Sequence, residues 1–453
     1  MSALPPKADM VQGPTRGVTQ AQPTSAVIGF SSAATRLCRP CNSPPLVVQS
    51  ATNFQSKIIR GKTMCLKYFA FAAASIVAAL GAGRAAAEDT IKVGLVMPMT
   101  GTLAAAGREC VDGAKLYMAQ HGDTVARKKI ELIVRDDGTL PDNSKRLAQE
   151  LIVNDKVSFL GAGTTPAAMS MAPIITEAKL ASVLMISGTS VVTERSPYYA
   201  RTSFTLGQQS GIMADWAINN GSRKAVSILS DFAPGIEAGK VFETNFTKGG
   251  GKILDTLKVP LANPDFSPFL QRARDLGPDT LFVFVPAGQA GTLARQFKER
   301  GLDKSGIKLV GPGDIVDDDD LPNTGDTLLG VVSAGFYSAA HPSQLNKEYV
   351  AAYQKATGHR ANFISVGGYD GMHLIYEALQ KTGGKTDADV TIAAMKGVGW
   401  ESPRGPMSID PNTREIVQNI YIRRVEMKDG APWAIEFETF EAVKDPLKQA
   451  AAK

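Results

Sequence analysis

The chain has 453 residues, which is long enough for two lobes and appended segments. Hydrophobic residues make up 44% of it and charged residues 21%, a globular composition that excludes a disordered or fibrous protein. The formal net charge is +5, from 49 basic and 44 acidic residues spread along the chain. They form no basic stripe of the kind that nucleic-acid binding requires, so we expect no nucleic-acid partner.

The first 87 residues are not expected to belong to the fold. Residues 1–63 are rich in Pro, Ser, Thr, Gln and Ala, which predicts a disordered leader or a misassigned start codon, with Met64 as the true start. Lys67 precedes the apolar run Tyr68–Leu80, and Ala85-Ala86-Ala87 follows it. This pattern predicts a signal peptide at 64–87, cleaved after Ala87, and a periplasmic protein. A membrane anchor is the alternative, but the run is shorter than the about 20 residues that span a bilayer.

Four cysteines are present, and only one lies beyond the predicted cleavage site. Cys38 and Cys41 form a CxxC spacing without a second pair, which we interpret as chance, and Cys65 lies in the signal peptide. Cys110 lies on a predicted helix, where packing is a simpler role than nucleophilic attack. We therefore expect no intrachain disulfide.

From Thr90 onward, short apolar runs alternate with stretches of helical spacing. Such alternation predicts βαβ units, a parallel sheet and helices on both faces. The predicted strands are Ile91–Met97, Ile130–Arg135, Val157–Ala162 and Ser182–Ser187, and the predicted helices are Ala104–His121, Asn143–Asp155 and Ala167–Ala178.

The same rhythm restarts after about Gln208 and predicts a second lobe of similar size. Its predicted strands are Ala225–Ser230, Lys252–Val259, Thr280–Val285, Ile307–Val310 and Gly330–Phe336, with helices at Ser210–Asn220, Ile236–Thr247, Phe266–Asp275 and Ala290–Arg300. Three helices follow, at Asn346–Thr357, Val366–Lys381 and Asp387–Lys396, and then an antiparallel pair, Gly405–Asp410 and Ile416–Val425. We predict an α/β protein of two doubly wound, Rossmann-like lobes, with a ligand at the carboxyl ends of the strands, across a cleft.

Motifs for catalysis, metals and cofactors are missing from the sequence. None of His121, His341, His359 and His373 has a metal-ligand spacing, and neither a GxSxG elbow nor a phosphate loop occurs. The acidic run Asp317–Asp320 could hold a cation, but we interpret it as a solvated loop. The sequence thus predicts no catalytic residue, no metal and no cofactor, although a secreted α/β enzyme stays open as an alternative.

Small polar residues recur just beyond the predicted strand ends. Thr164-Thr165 and Ser187-Gly188-Thr189 do so in the first lobe, and Asp231–Gly235, Pro286–Gly288 and Gly311–Asp314 in the second. Hydroxyl groups and free N–H groups at helix starts suit a carboxylate, because the helix dipole also favours an anion. The alternative is that each residue is only a helix cap. Their recurrence in both lobes favours a binding role.

Several blocks in fixed order resemble the branched-chain amino-acid binding-protein family, the type I periplasmic receptors of ABC importers. The resemblance covers nearly all of residues 88–440 and includes IKVGLVMPMTGTLAAAG, ELIVRDD, QELIVNDKVSFLGAG, SPYYARTSFT, SVGGYDGMHLIYEAL and GPMSIDPNTREIVQNIYI. It implies three crossovers between a first lobe of 88–207 plus 338–402 and a second of 208–337 plus 403–440, with 441–453 as a tail. It also implies a hinge, a membrane permease and an ATPase as partners, and we expect a monomer.

The resemblance also implies a ligand site. Thr165 matches the family's carboxylate-binding hydroxyl, Ser187 to Thr189 match the loop that grips carboxylate and amine, and Asp314 falls at or near the acidic residue that holds an ammonium group. Thr164 and Gly188 belong to the same loops. Ala106, Phe232-Ala233-Pro234-Gly235 and Ala287-Gly288 stand where family members often carry aromatic residues or a tyrosine loop.

This loss of bulk widens the predicted pocket or moves its apolar wall. The predicted pocket therefore suits a larger carboxylate, such as an aromatic acid, or an amide-type ligand at least as well as leucine, isoleucine or valine. The leading hypothesis is a transport receptor. A sensory or regulatory ligand-binding protein on the same fold, for example for amides, is the alternative.

Overall fold

Two sheets organise the chain. The computed structural model describes residues 90–451, and the predicted leader at 1–63, the predicted signal peptide at 64–87 and Cys38, Cys41 and Cys65 lie outside them. Each sheet carries helices on its faces, so the predicted α/β fold with two doubly wound lobes is confirmed. No helix of the described range has the length and apolar character needed to cross a membrane.

The first lobe is built on a six-stranded sheet in the order β2-β3-β1-β4-β5-β6, parallel except for β2. Its strands are β1 (Ile91–Met97), β2 (Thr124–Val125), β3 (Lys128–Asp136), β4 (Phe159–Ala162), β5 (Ser182–Leu184) and β6 (Tyr199–Arg201). The helices are α1 (Ala104–His121), α2 (Pro141–Glu150) and α3 (Thr165–Ala178), with a π-turn at Leu151–Asp155 and a 3-10 helix at Ser190–Arg195.

The second lobe contains a nine-stranded sheet in the order β12-β13-β14-β11-β10-β9-β7-β8, with β15 paired to β14. Its first five strands are β7 (Lys224–Ser230), β8 (Lys252–Val259), β9 (Thr280–Phe284), β10 (Lys308–Pro312) and β11 (Val332–Gly335). The helix α4 (Leu206–Asn219) precedes these strands. Between them lie α5 (Ala233–Lys248), α6 (Ser267–Leu276) and α7 (Ala290–Glu299), with 3-10 helices at Asp303–Ser305, Gly313–Ile315 and Leu321–Asn323.

Central strands are apolar along their whole length because helices cover both faces of the parallel part of each sheet. All five residues of β9 and all four of β4 are buried. This explains why the strands appear in the sequence as short continuous apolar runs instead of alternating patterns. The predicted strands and helices in these regions match the observed ones within a few residues.

After β11 the chain returns to the first lobe. The helices α8 (Gln344–Thr357), α9 (Phe363–Thr382) and α10 (Ala388–Met395) follow, and α9 packs along α1. The chain thus passes between the lobes three times: after β6, after β11 and before β12. The capping box formed by Thr205 and Gln208 starts α4 directly after the first of these passages.

The last part of the chain differs from the sequence prediction. The four closing strands are β12 (Gly399–Ser402), β13 (Gly405–Ile409), β14 (Ile416–Lys428) and β15 (Ala431–Val443), followed by α11 (Pro446–Ala451). Because β12 pairs with β13, the second sheet already includes Gly399–Ser402, which the predicted boundary at 402 assigns to the first lobe. The strand β15 was not predicted, and it extends to Val443, beyond the predicted lobe end at 440.

The acidic run Asp317–Asp320 is not the solvated loop that its composition predicts. Asp317 and Asp318 are buried, at 3% and 0% exposure, and Asp317 accepts a hydrogen bond of 3.0 Å from the Asn362 side chain. Burial raises the pKa of both carboxyl groups, and the nearby charge of Glu109 raises that of Asp317 further. The run lies where the lobes meet, which the local sequence does not reveal. No group of three or more His, Cys, Asp or Glu side chains in the described range is arranged to hold a metal ion.

Candidate ligand-binding site

A cavity lies between the lobes at the carboxyl ends of the strands. It contains about 630 Å³ of empty space, including its mouth. Thr165 follows β4 and Gly188 follows β5 on one side, while Phe232 follows β7 and Asp314 follows β10 on the other. This is the switch-point position at which open α/β sheets place ligands.

Most residues predicted for the site line this cavity. Those that do are Ala106, Thr164, Thr165, Gly188, Phe232, Pro234, Ala287 and Asp314. Ser187, Thr189 and Gly235 are not among the lining residues. Ser187 and Thr189 lie behind the lining and contact the Thr165 hydroxyl group, and Gly235 has a packing role.

Three hydroxyl groups meet behind the first-lobe wall. Thr165 Oγ1 lies 3.1 Å from Ser187 Oγ and donates a hydrogen bond of 3.1 Å to Thr189 Oγ1. All three residues are buried, with Thr165 only 3% exposed. A hydroxyl group can donate or accept, so the protons of this network can be reoriented to donate hydrogen bonds to a ligand.

The amino terminus of α3 reaches the cavity at Thr164 and Thr165. Thr164 is the N-cap in an extended conformation, but its side chain makes no capping hydrogen bond. Pro166 lies in the first turn and has no N–H group to satisfy. The helix therefore presents its positive dipole end and uncapped N–H groups to the cavity, which suits an anion.

A buried arginine holds the loop behind this wall. Arg201 donates hydrogen bonds to the carbonyl groups of Ser187, Phe204 and Thr189, and it forms a buried ion pair with Glu415. Because the guanidinium occupies the loop carbonyls, the hydroxyl groups of Ser187 and Thr189 stay available to Thr165. Sequence reasoning did not assign Arg201 a role, although it lies inside one of the family-like blocks.

Steric constraints explain why glycine occupies two of the predicted site positions. A Cβ atom on Gly188 would come within 2.7 Å of the Phe204 ring, so glycine allows that ring to reach the cavity. A Cβ atom on Gly235 would lie 2.1 Å from the Ser230 carbonyl oxygen. Gly235 therefore brings the start of α5 close to the end of β7, and its role is to shape the wall.

The second-lobe wall is apolar except at one point. Phe232 and Phe284 lie side by side with ring centroids 6.0 Å apart, next to Pro234, Pro286 and Ala287. The exception is Asp314, which is 6% exposed and whose Oδ2 atom has no hydrogen-bond partner in the described range. Burial raises its pKa to about 7, although a hydrogen bond from its own backbone and the charge of Arg423 oppose this shift.

Several lining residues were missed by sequence reasoning. They are Thr102, Leu103, Ala105, Ile186, Phe204, Leu206, Phe284, Pro286, Phe363 and Ile364. Pro286 lies in one of the strand-end loops and Phe284 ends the strand before it, so their place at the strand end is the signal that identifies both. Phe204 lies at the first crossover and Phe363 begins α9, and no local pattern at either position indicates a cavity.

The lobes are joined directly by hydrogen bonds at the rim. The Ser190 N–H group donates to both carboxylate oxygens of Glu237, at 3.0 and 3.1 Å, and its hydroxyl group donates to Oε1 at 2.9 Å. Ser190 belongs to the first lobe and Glu237 to α5 of the second. Burial raises the pKa of Glu237 to about 7.

Comparison with known proteins adds relatives that match most of the chain. The "Leu/Ile/Val-binding protein homolog 6" of Brucella melitensis is 42% identical over 372 residues, covering 81% of this chain and 95% of the relative. A solute binding protein of an ABC transporter from Rhodopseudomonas palustris BisB5, solved in complex with 3,4-dihydroxybenzoic acid, is 62% identical with a TM-score of 0.78. That match covers 80% of this chain and 100% of the solved one.

A second solved structure carries a related ligand. It is a solute binding protein of an R. palustris ABC transporter in complex with 4-hydroxybenzoate, 41% identical, with a TM-score of 0.76 and coverage of 79% and 99% of the two chains. The family model described as "Periplasmic binding protein" matches residues 90–431. This match and the two-lobed architecture confirm the predicted resemblance, and the chain belongs to the periplasmic binding protein family.

Proposed function

We propose that the protein is the solute-binding component of an ABC importer and closes around an aromatic carboxylate of the benzoate class. The observation that carries this proposal is the pairing of an uncapped helix amino terminus with a ring-lined wall across one cavity. A benzoate has the matching form, since its charge is at one end and its flat apolar ring fills the rest.

The carboxylate end of the ligand belongs at the first-lobe wall. The first turn of α3 offers its N–H groups. The Thr165 hydroxyl group donates to Thr189 in this structure and can turn its proton toward a ligand while its oxygen accepts from Ser187. Hydrogen bonds from several donors to one ionised carboxylate are shorter and stronger than neutral ones. The helix dipole adds a favourable term of about 0.3–1 kcal/mol at such a position.

The ring belongs among the phenylalanines. Phe204 lines the cavity from the first crossover and Phe363 from the start of α9, and Phe232 and Phe284 line it from the second lobe. Offset or edge-to-face contacts between rings add about 0.5–1.5 kcal/mol to area burial. The small residues Ala106 and Ala287 leave room beside the ring, in keeping with the predicted loss of bulk.

The ligands of solved relatives support an aromatic acid over an aliphatic amino acid. The two structures described above, at 62% and 41% identity, were solved with dihydroxybenzoic and hydroxybenzoic acid. The Brucella relative at 42% identity is named for Leu, Ile and Val. An amino acid is therefore the main competing ligand, and transport of a benzoate is the function that the cavity favours.

The remaining parts of the proposal are supported by family membership and by the sequence pattern of residues 64–87. A periplasmic binding protein acts in the periplasm, and we infer that residues 64–87 direct it there and are cleaved after Ala87. A permease and an ATPase would be its partners, and the protein would act as a monomer without turning over its ligand. The proposed lobes are 88–207 plus 338–402 and 208–337 plus 403–440, with the third boundary shifted to precede β12.

Isothermal titration with purified protein tests the ligand class directly. The titrants are benzoate, 4-hydroxybenzoate, 3,4-dihydroxybenzoate and leucine, and a thermal-shift series with the same ligands is the parallel readout, because a ligand that binds only the folded protein raises its melting temperature. We expect saturable one-to-one binding of at least one benzoate and no measurable leucine binding. Tighter binding of leucine than of every benzoate would overturn the ligand class.

A further inference from the structure

The polar groups in the cavity are few and unevenly distributed. Four lining residues carry polar side chains: Thr102, Thr164, Thr165 and Asp314. The three threonines come from the first lobe, and Asp314 is the single polar side chain that the second lobe contributes to the described lining. It is also the single ionisable side chain in that lining. Whatever part of a ligand reaches the second-lobe wall therefore meets either an apolar surface or this carboxyl group.

The position of Asp314 is held rigidly by its neighbours. The preceding residue, Gly313, donates its N–H group to Gln209 Oε1 at 2.8 Å, and its carbonyl accepts from Arg423 Nη2 at 3.2 Å. Both Gln209 and Arg423 are buried. These bonds fix the backbone on the residue before Asp314, so the carboxyl group has a defined place at the wall.

The Asp314 side chain lacks a partner for one of its oxygens. Its Oδ2 atom is buried and accepts no hydrogen bond in the described part of the chain. Arg423 lies close enough to stabilise the negative charge, but no ion pair within 4.0 Å joins the two. A buried acceptor without a partner is costly, and a ligand that brings a donor removes that cost.

The negative charge of Asp314 also determines which end of the ligand lies at each wall. A ligand carboxylate near Asp314 would face a like charge in an apolar setting, whereas the first-lobe wall offers donors and the positive end of α3. The ligand carboxylate therefore points toward the first lobe. The opposite edge of the ring then faces the second lobe, where the unpartnered acceptor requires a hydrogen-bond donor.

We infer that Asp314 accepts a hydrogen bond from a ring hydroxyl group opposite the ligand carboxylate and so selects hydroxybenzoates over benzoate. This inference rests on the proposed function, since it assumes a benzoate in the cavity. An α-amino acid is a poorer match for the same groups, because its donor and its carboxylate share one carbon atom and cannot meet opposite walls separately. An aromatic ring holds the two groups apart and rigidly in line.

Titration calorimetry at pH 8 with a matched ligand series tests the inference on wild-type protein. The ligands are 4-hydroxybenzoate and 4-aminobenzoate, which carry a donor at the ring edge, and benzoate and 4-fluorobenzoate, which do not. We expect the two ligands with a donor to bind at least about tenfold more tightly than the two without. Equal affinity across the four ligands would overturn the role of Asp314 and leave the proposed function standing. Absence of binding by all four would instead remove the proposed function.

The variant Asp314→Asn assigns the preference to this residue. It keeps the shape of the side chain but replaces a charged acceptor with a neutral one, so we expect about a tenfold loss of 4-hydroxybenzoate affinity and benzoate affinity within about threefold of wild type. Asp326→Asn is the matched control, because Asp326 is an exposed aspartate of the second lobe, 3.8 Å from Lys298 and absent from the lining. A loss of equal size for benzoate and 4-hydroxybenzoate in Asp314→Asn would contradict the inference.

Discussion

The two walls of the cavity are built on a common plan but carry opposite polarity. A buried arginine stands behind each: Arg201 binds the carbonyl groups of Ser187 and Thr189, and Arg423 binds those of Tyr337 and Gly313. In both lobes the guanidinium satisfies backbone acceptors at a strand end and fixes the loop that faces the ligand. Arginine suits this task because its planar fork offers five donors in a fixed geometry.

The two arginines differ in their carboxylate partners. Arg201 has an ion-pair partner in Glu415, which belongs to the turn before β14, so the first-lobe wall is left with hydroxyl groups and helix N–H groups. Arg423 has no ion pair within 4.0 Å in the described chain. The charges of Asp318, Glu436 and Asp314 lie near it, and of these three residues Asp314 lines the cavity. One wall therefore donates hydrogen bonds and the other accepts them, and this polarity orients a ligand that carries an acceptor at one end and a donor at the other.

The largest effect is expected from breaking the support of the donor wall. Arg201→Met leaves the buried Glu415 with only Lys448, at 4.0 Å, as a countercharge, and it leaves the Thr189 carbonyl without the donor that Arg201 supplies. Removing one partner of a buried ion pair costs about 3–5 kcal/mol. Urea unfolding should show a fall of this size in the free energy of unfolding.

The matched control for Arg201 is an exposed ion pair in the second lobe. Arg272→Met breaks the pair with Asp255, and the two side chains are 56% and 32% exposed. Exposed pairs contribute about 0–1 kcal/mol, so this variant should unfold close to the wild-type urea midpoint. Similar midpoints for Arg201→Met and Arg272→Met would mean that the buried pair does not hold the donor wall.

The second-largest effect is expected at Thr165, and it distinguishes the two walls by which ligands lose affinity. Thr165→Val keeps the shape of the side chain but removes the hydroxyl group from the network with Ser187 and Thr189. Loss of a hydrogen bond to a carboxylate costs about 1.5–3 kcal/mol, and benzoate and 4-hydroxybenzoate should lose affinity equally because both carry that group. Calorimetry on Thr165→Ser should recover most of the loss. A loss confined to 4-hydroxybenzoate would contradict the assignment of the carboxylate to this wall.

The smallest effect is expected from the hydrogen bonds between Ser190 and Glu237, which join the two lobes at the rim of the cavity. The pKa of Glu237 is raised from 4.5 to about 7, mainly by burial and slightly by Asp445, while Ser190 and Arg201 lower it. In an open protein the carboxyl group regains water, so closure takes up a proton. The contribution of this group to the closed form is therefore complete below pH 4.5 and is lost as the pH rises through 7.

Benzoate affinity should accordingly decrease by up to about tenfold between pH 6 and pH 8 through Glu237. Glu237→Gln cannot ionise but can still accept from the Ser190 N–H group, so its affinity should change less over this range. Glu243→Gln, on the same helix and bonded to Thr256 instead, is the control and should keep the wild-type pH dependence. Identical pH profiles for wild type and Glu237→Gln would show that closure does not depend on this carboxyl group.

Local patterns predicted the part of the site that depends on strand ends. Thr165, Gly188, Phe232 and Asp314 all follow central strands, and parallel strands bring their carboxyl ends to one edge whatever the details of packing. The apolar runs that predicted these strands result directly from burial on both faces. The same reasoning located α1 and α3, whose spacing reflects one buried face.

Only the tertiary structure decided which distant groups become partners. Glu415 is 214 residues from Arg201, and Asn362 is 45 residues from Asp317, so no local spacing indicates either contact. The acidic run was predicted to be solvated because composition reports the average behaviour of aspartates, whereas the meeting of the lobes buries two of them. The strand β15 and the lining rings Phe204 and Phe363 were missed for a similar reason, since their places depend on the crossovers and on pairing with β14.

The sequence by itself determined that the chain forms two α/β lobes with small polar residues at the strand ends, because periodicity and turn chemistry are local properties. The tertiary structure decided that the first lobe supplies donors, that the second supplies one unpartnered carboxyl group, and that the two face each other. Whether one wall donates hydrogen bonds and the other accepts them depends on which distant residues meet, and only the folded chain determines that.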